Sequence, residues 1–356
     1  MRPLIHRRFL SHRPALYEVI PKKKIMNRIL FDLDSKHPFS KLYPVYESIY
    51  KNLDTSGDAE IPSRIDANDL MVMKRALETI RTQTHTTNKH LLSLENSLVE
   101  YAAERGNNDA VSLLAYEALL GKDEDDKKHA KKLISGLLEL KHPLTMKLSG
   151  DLCLKNGLQQ QAEKFYLDFI ELEDDTFLAS DAFRQLGILN FQKPDLIKAR
   201  HWFERSVRTG PVDKVAECHF YLGQLYAYDP KKSRYHLETA ASQAFKESFK
   251  QLGFLELNQF GNILKAKEWF KLGVELGDYD SVVGIFDCFM SSKEYKKAYG
   301  AYNTLKQDQS TFSQFEKSRE NAIALMNANY APLKKTIEKI KEFKEISTTV
   351  SDRWNA

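Results

Sequence analysis

The chain has 356 residues, 42% of them hydrophobic, and a formal net charge of +4. A composition of this kind excludes wholesale disorder. Its longest apolar stretch, Val282 to Met290, is broken by Asp287 and falls short of the ~20 residues a bilayer span needs, so no transmembrane helix is expected.

The charge is unevenly placed. Residues 1–24 hold seven basic residues against Glu18 alone, so their +6 exceeds the whole chain's +4 and leaves −2 on the other 332 residues. Arginines scattered among apolar residues, with no acid before Glu18, mark residues 1–24 as a mitochondrial transit peptide. Such a segment folds as a cationic amphipathic helix on a negative surface and is drawn inward by the matrix-negative potential. Pro3 and Pro14 confine that helix to Leu4–Arg13. A basic tail on a cytosolic protein is the alternative. The near-neutral body gives no electrostatic case for bulk nucleic-acid binding.

Residues 25–105 form an N-terminal helical region. Ile25 to Leu33 and Tyr43 to Leu53 read as short helices, and the loop Asp54 to Asp58 separates them from the longer helices of the region. Asp69 is expected to cap a helix in which Leu70, Met73, Leu77 and Ile80 recur at spacings of three and four. A second long helix runs from about Asn88 to Arg105 on Leu91, Leu94, Leu98 and Ala102, and Gly106 closes it.

From 106 to 302 the chain repeats. Small residues expected early in one helix stand at Ala115, Gly150, Gly187, Gly223, Gly253 and Gly284, at spacings of 35, 37, 36, 30 and 31. A second set, Ala130, Ala162, Ala199, Ser233, Ala266 and Ala298, starts a second helix, with aromatics three and four residues on in several copies, as in Trp202-Phe203 and Trp269-Phe270. A glycine or alanine on one helix admits the partner backbone, and the bulky aromatic fills the groove beside it. Ala266, Trp269, Phe270 and Gly273 share one helical face. Pro143, Pro194, Pro211 and Pro230 fall between helices. The expected fold class is therefore all-α, a right-handed α-solenoid of helix hairpins. The alternative is an irregular helical bundle.

Residues 303–311 read as a polar connector within a C-terminal capping region, 303–346. A last helical stretch from about Phe312 to Glu345 is interrupted near Pro332, and 347–356 reads as a disordered tail. Leu333, Ile337, Ile340 and Phe343 among lysines could lie on an anionic membrane, but capping the last apolar face of the solenoid is the preferred reading.

No catalytic, cofactor or metal residue is assigned. Cys153, Cys218 and Cys288 lie far apart, with neither a CxxC pair nor zinc spacing, and read as buried free thiols. His85 and His90 are five apart without a third ligand and read as a polar loop. Asp123-Glu-Asp-Asp126 lacks the glycine and bidentate glutamate of a calcium loop and reads as a solvated turn.

The six-fold small-residue spacing, with A-x-x-W-F and a following glycine, resembles Sel1-like and tetratricopeptide repeats, best over Leu252–Gly277 and at the junction Ala103–Ala110. Of the glycine copies, only Gly223 is followed at the third position by tyrosine, Tyr226. The segments Pro21–Asp34, Asp69–Gln83, Ala102–Leu114 and Phe245–Gly277, continuing to Phe286-Asp287-Cys288, resemble a family of fungal, yeast-type mitochondrial proteins. That family is peripheral to the inner membrane and required for export of the C-terminal tail of cytochrome c oxidase subunit 2. The resemblance spans roughly residues 20–320. It implies a non-enzymatic assembly factor on the matrix side of the inner membrane. Its partners would be the subunit 2 tail and the insertion or export machinery, with no cofactor and no nucleic acid. An organellar RNA binder of the pentatricopeptide type stays open beside it.

Overall fold

The computed structural model describes residues 13–330 apart from 54–58 and 86. The first half of the expected leader, the loop Asp54 to Asp58, the helix carrying Leu333 to Phe343, Pro332 and the tail 347–356 therefore lie outside the described residues. Every regular element among the described residues is helical. The described residues divide into two compact units, one up to Leu172 and the other from Glu173.

The first unit opens with α1 (Leu16–Val19), α2 (Lys23–Asp32) and α3 (Phe39–Asn52). Residues 13–24 belong to this folded unit. Leu16 and Ile20 are buried. The Tyr50 hydroxyl donates to the Pro14 carbonyl at 3.0 Å, and the Arg13 guanidinium donates to the Tyr50 carbonyl while sitting over its ring. Helix α3 begins four residues before the expected Tyr43, because Phe39 is buried and its amide donates to Asn27 Oδ1 at 2.9 Å.

Asp66, and not Asp69, is the N-cap of α4 (Ala67–Thr84). Asp66 accepts from the Asp69 amide at 2.7 Å and Asp69 accepts from the Asp66 amide at 3.0 Å, a reciprocal capping box that places Asp69 at the third helical position. Leu70, Met73, Leu77 and Ile80 are buried as their spacing requires. Asn88 caps α5 (Lys89–Glu104), and Gly106 beyond its end adopts φ +79°, where a Cβ would be strained. These five helices share one core that runs from Leu16 to Ala110. The hairpins α6 (Asn108–Leu120) with α7 (Glu124–Glu139), and α8 (Pro143–Lys155) with α9 (Gln159–Ile170), complete the unit. Asp123 caps α7 by accepting from the Asp125 and Asp126 amides, so the acidic run is a helix start.

The second unit is a succession of hairpins. They are α10 (Phe177–Gln192) with α11 (Leu196–Thr209), α12 (Ala216–Leu225) with α13 (Pro230–Ser242), α14 (Glu247–Asn258) with α15 (Ile263–Glu275), and α16 (Tyr279–Ser291) with α17 (Tyr295–Leu305). Then come α18 (Gln309–Ser318) and helical residues 320–330. The connector expected over 303–311 shrinks to Lys306–Asp308, because Leu305 and Phe315 are buried and pull helix in from both sides. Among the described residues the last helix break is at Arg319, where the guanidinium is held on both oxygens of Asp287 at 2.9 and 3.1 Å.

The small residues do what the spacing predicts, with two corrections. The glycines lie midway along or late in the first helix of each hairpin, since that is where the two helices cross. The residue against each is the one four after the second small residue, not the tryptophan. A Cβ on Gly187 would lie 2.5 Å from the Phe203 ring, one on Gly150 2.7 Å from Tyr166, and one on Gly223 2.6 Å from Leu237. Phe270 is clasped by Gly253 of its own hairpin and by Gly284 of the next. Trp202 and Trp269 stack instead on Phe183 and Phe249, at centroid distances of 5.8 and 6.1 Å.

A candidate protein-binding face on the first helices of the hairpins

Three hairpins of the second unit, α10–α11, α12–α13 and α14–α15, use the second helix to fill the glycine groove of the first, which leaves part of the first helix uncovered. Two shallow depressions lie there. One of about 420 Å³ is bordered by Gln224, Gln251, Phe254, Asn258 and Gln259. The other, of about 260 Å³, is bordered by Lys250, Gln251, Phe254, Asp280, Gln314 and Arg319. They share Gln251 and Phe254, so one face runs from α12 across α14 and α16 to α18.

The chemistry of this face is neutral. Its amide side chains offer both donors and acceptors, over an apolar floor of Phe254, Leu255, Val283 and Phe315. The charges along it are already matched. Lys250 pairs with Asp280 at 2.6 Å and Arg319 with Asp287 at 2.9 Å. Further along the first helices Arg184 bridges Asp181 and Glu217, both at 2.7 Å. Burial pulls against the Arg184 charge, but these two carboxylates outweigh it and hold its pKa above the ordinary value. A face of amides with self-neutralised ions suits the backbone of an extended polypeptide; a phosphate chain needs unmatched cations.

The thiols, histidines and acids weighed in the sequence are dispersed. Cys218 and Cys288 are buried, and burial pushes their thiols up to about 12 and about 11, away from reactivity. Cys153 departs from expectation: it is only half-buried, with its Sγ 3.9 Å from Gln161 Oε1 of α9. His85 ends α4 in a left-handed conformation, while His90 sits in the first turn of α5 beside Tyr50. Among the described residues no group of three or more His, Cys, Asp or Glu is placed to hold a metal ion. The residues of the amide face escaped the sequence reading. Gln224 and Phe254 each directly follow a repeat glycine, but that position alone does not tell a face residue from any other surface residue.

Comparison with known proteins decides the family. The chain is 35% identical over 344 residues, 90% of its own length and 97% of the other's, to "Protein MSS2, mitochondrial" of Saccharomyces cerevisiae. The chain belongs to the MSS2 family. Residues 12–107 match the family model described as the MSS2 N-terminal domain. That match coincides with the stretch whose helices share the single core from Leu16 to Ala110. The MSS2-family chain is also similar to a solved Sel1 repeat protein from Oxalobacter formigenes, at 18% identity over 67% of this chain and 98% of that one, with a TM-score of 0.44. A second similar structure is YrrB, described as a TPR protein with an unusual peptide-binding site, at 19% identity over 51% of this chain and 96% of that one, with a TM-score of 0.44. No helix among the described residues is long and apolar enough to cross a membrane.

Proposed function

We propose that this MSS2-family chain is a non-enzymatic mitochondrial assembly factor. It binds protein partners on the matrix side of the inner membrane, to which it is peripheral, and supports export of the C-terminal domain of cytochrome c oxidase subunit 2. The observation that carries the reading is the neutral amide face from Gln224 to Gln314, with its charges paired internally. An extended segment laid along it would satisfy its amides through backbone groups and bury alternate side chains on Phe254 and Phe315. Family membership and the sequence resemblance supply the compartment and the partner class. The leader would end before Arg13, because Leu16 and Ile20 are core residues and their removal would open the first unit.

The test is export in a deletion strain. Synthesis of subunit 2 should continue, while its C-terminal domain stays shielded from protease added to mitoplasts. A strain carrying Gln224→Ala and Gln251→Ala should show the same defect at normal protein level, and alkaline carbonate should release the protein from membranes. Normal export in the deletion strain would sink the reading, and loss of subunit 2 synthesis would replace it with RNA binding.

A further inference from the structure

In the second unit the turns joining first to second helix are residues 192–198, 226–232, 258–265 and 291–297. They lie side by side along one edge. Arg200 at the start of α11 donates to the Tyr228 hydroxyl at 3.0 Å. Arg234 at the start of α13 stacks 3.6 Å over the Phe260 ring. Lys267 at the start of α15 donates to Glu294 at 2.6 Å. Each contact ties one turn to the next.

This edge carries eight lysines against Asp195, Asp229 and Glu294. The opposite edge, formed by the turns at 209–215, 242–247, 275–280 and 305–309, carries three lysines against six acids. Charge is thus separated across the width of the unit. Lys231, Lys293 and Lys296 on the basic edge are exposed and make no ion pair among the described residues.

The same edge displays aliphatic side chains that the fold does not use. Ile197 and Leu264 are each 76% exposed, and Leu196 is exposed beside them. All three stand in the first turn of a second helix, where Cα–Cβ bonds tilt towards the helix N-terminus and carry the side chain out past the edge. Basic residues interleaved with protruding aliphatics match the boundary between anionic headgroups and acyl chains. They match single-stranded nucleic acid less well. Its bases stack on aromatic rings, and on this edge only Tyr228 offers a widely exposed one.

We propose that this edge of the second unit docks on an anionic phospholipid surface, with its lysines among the headgroups and Leu196, Ile197 and Leu264 at the acyl boundary. The proposal rests on the reading of the chain as peripheral to a membrane and names the surface that makes the contact. It leaves the amide face on the first helices free for a polypeptide.

The experiment is flotation of the full-length protein with phosphatidylcholine vesicles, with and without one-fifth cardiolipin. Wild type should float with the anionic vesicles at low salt and not with the neutral ones. A lysine near an anionic surface contributes about fivefold in partitioning, so Lys231→Glu, Lys293→Glu and Lys296→Glu combined should weaken flotation at least about tenfold. Ile197→Ser with Leu264→Ser should weaken it several-fold and leave the remainder fully reversed by salt. Neither variant should change the melting curve, because none of these side chains is buried. Unchanged flotation of both variants, absence of wild-type flotation, or RNA binding that depends on the same lysines would each overturn the proposal. Export measured in strains carrying the variants separates the two readings. A chain needed for export whose variants float normally defeats the edge alone. A chain dispensable for export whose variants lose flotation defeats the assembly role alone.

Discussion

The N-terminal region and the hairpins of the second unit solve one problem in opposite ways. Helices α1 to α5 bury their apolar faces in a single pool from Leu16 to Ala110, where α2 packs on α4 and α3 on α5 in addition to the sequential pairing of α4 with α5, so contacts skip along the sequence. In the second unit each core is small and local. Ala199, Phe203, Cys218 and Leu222 make one, Leu237, Ala240 and Leu252 another, and Phe286, Leu305 and Phe315 a third. Between them the joints are glycines pressed by a ring or a leucine. A shared pool makes stability collective, whereas glycine joints make it approximately a sum over neighbouring repeats. The consequence is that a mutation in the first region should be felt everywhere in it, and one in the second should stay near home.

The largest expected effect breaks the pool. Tyr46 is fully buried and its hydroxyl donates to the Met73 carbonyl at 2.8 Å, tying α3 to α4. Tyr46→Ala should cost about 3–5 kcal/mol, the range for deleting a large buried aromatic, and removes the tie between the two helices. Amide hydrogen exchange should rise together across α2 to α5. A rise confined to α3 would show that the pool is not collective. Next is Gly253→Leu, which drives a side chain into the Phe270 ring. Overpacking of this kind typically costs about 1–3 kcal/mol. Exchange should rise in α14, α15 and α16, because Phe270 is also held by Gly284, and should stay native in α10 and α11. An unchanged melting temperature would mean that Phe270 swings aside freely.

This contrast also governs what the sequence could disclose. The repeat was legible because a glycine and the residue that presses it recur at fixed offsets, so Gly187 with Phe203 and Gly253 with Phe270 leave a periodic trace. Which aromatic fills the groove was not legible, because Trp202 and Phe203 are adjacent and only rotation about the helix axis decides which of them points at the glycine. In the N-terminal region helix positions were legible from periodicity, but the pairing of α2 with α4 and of α3 with α5 was not. Nothing local encodes a non-sequential contact. The start of α3 was hidden in the same way, since Asn27 on another helix supplies the bond to the Phe39 amide. The amide face was illegible for a different reason. Gln224 and Gln251 look like any surface glutamine until the second helices are seen to turn away from them.

A smaller effect tests one joint through pH. His219 Nδ1 and His236 Nδ1 lie 2.9 Å apart between α12 and α13. One of them must accept, so both facing nitrogens cannot carry protons together. Burial first, then the neighbouring His219, push His236 down to about 4, and burial also lowers His219. A histidine whose folded pKa lies below its unfolded value of about 6.5 takes up protons preferentially when unfolded. Its contribution is therefore fully present above about pH 6.5 and is lost as pH falls towards 4. The melting temperature of wild type should drop more between pH 7 and pH 5 than that of His236→Gln. Equal drops would show that the pair is not a pH-sensitive joint. The loss should show as earlier exchange in α12 and α13, with the N-terminal pool unaffected at the same pH.

The smallest effect has the opposite sign and asks how local a hairpin can be. Gly136 lies inside α7 on an exposed face, and a Cβ built there meets nothing within 4 Å. Glycine in a helix interior costs about 0.5–1 kcal/mol relative to alanine, because the unfolded chain has more freedom to lose. Gly136→Ala should therefore stabilise by about that amount in urea denaturation, with the gain confined to α6 and α7. Gly187→Ala makes the same chemical change against the Phe203 ring and should destabilise. Opposite signs for one substitution at two helical glycines would separate backbone entropy from close packing. If Gly136→Ala also destabilises, some surface covers that face of α7 in solution.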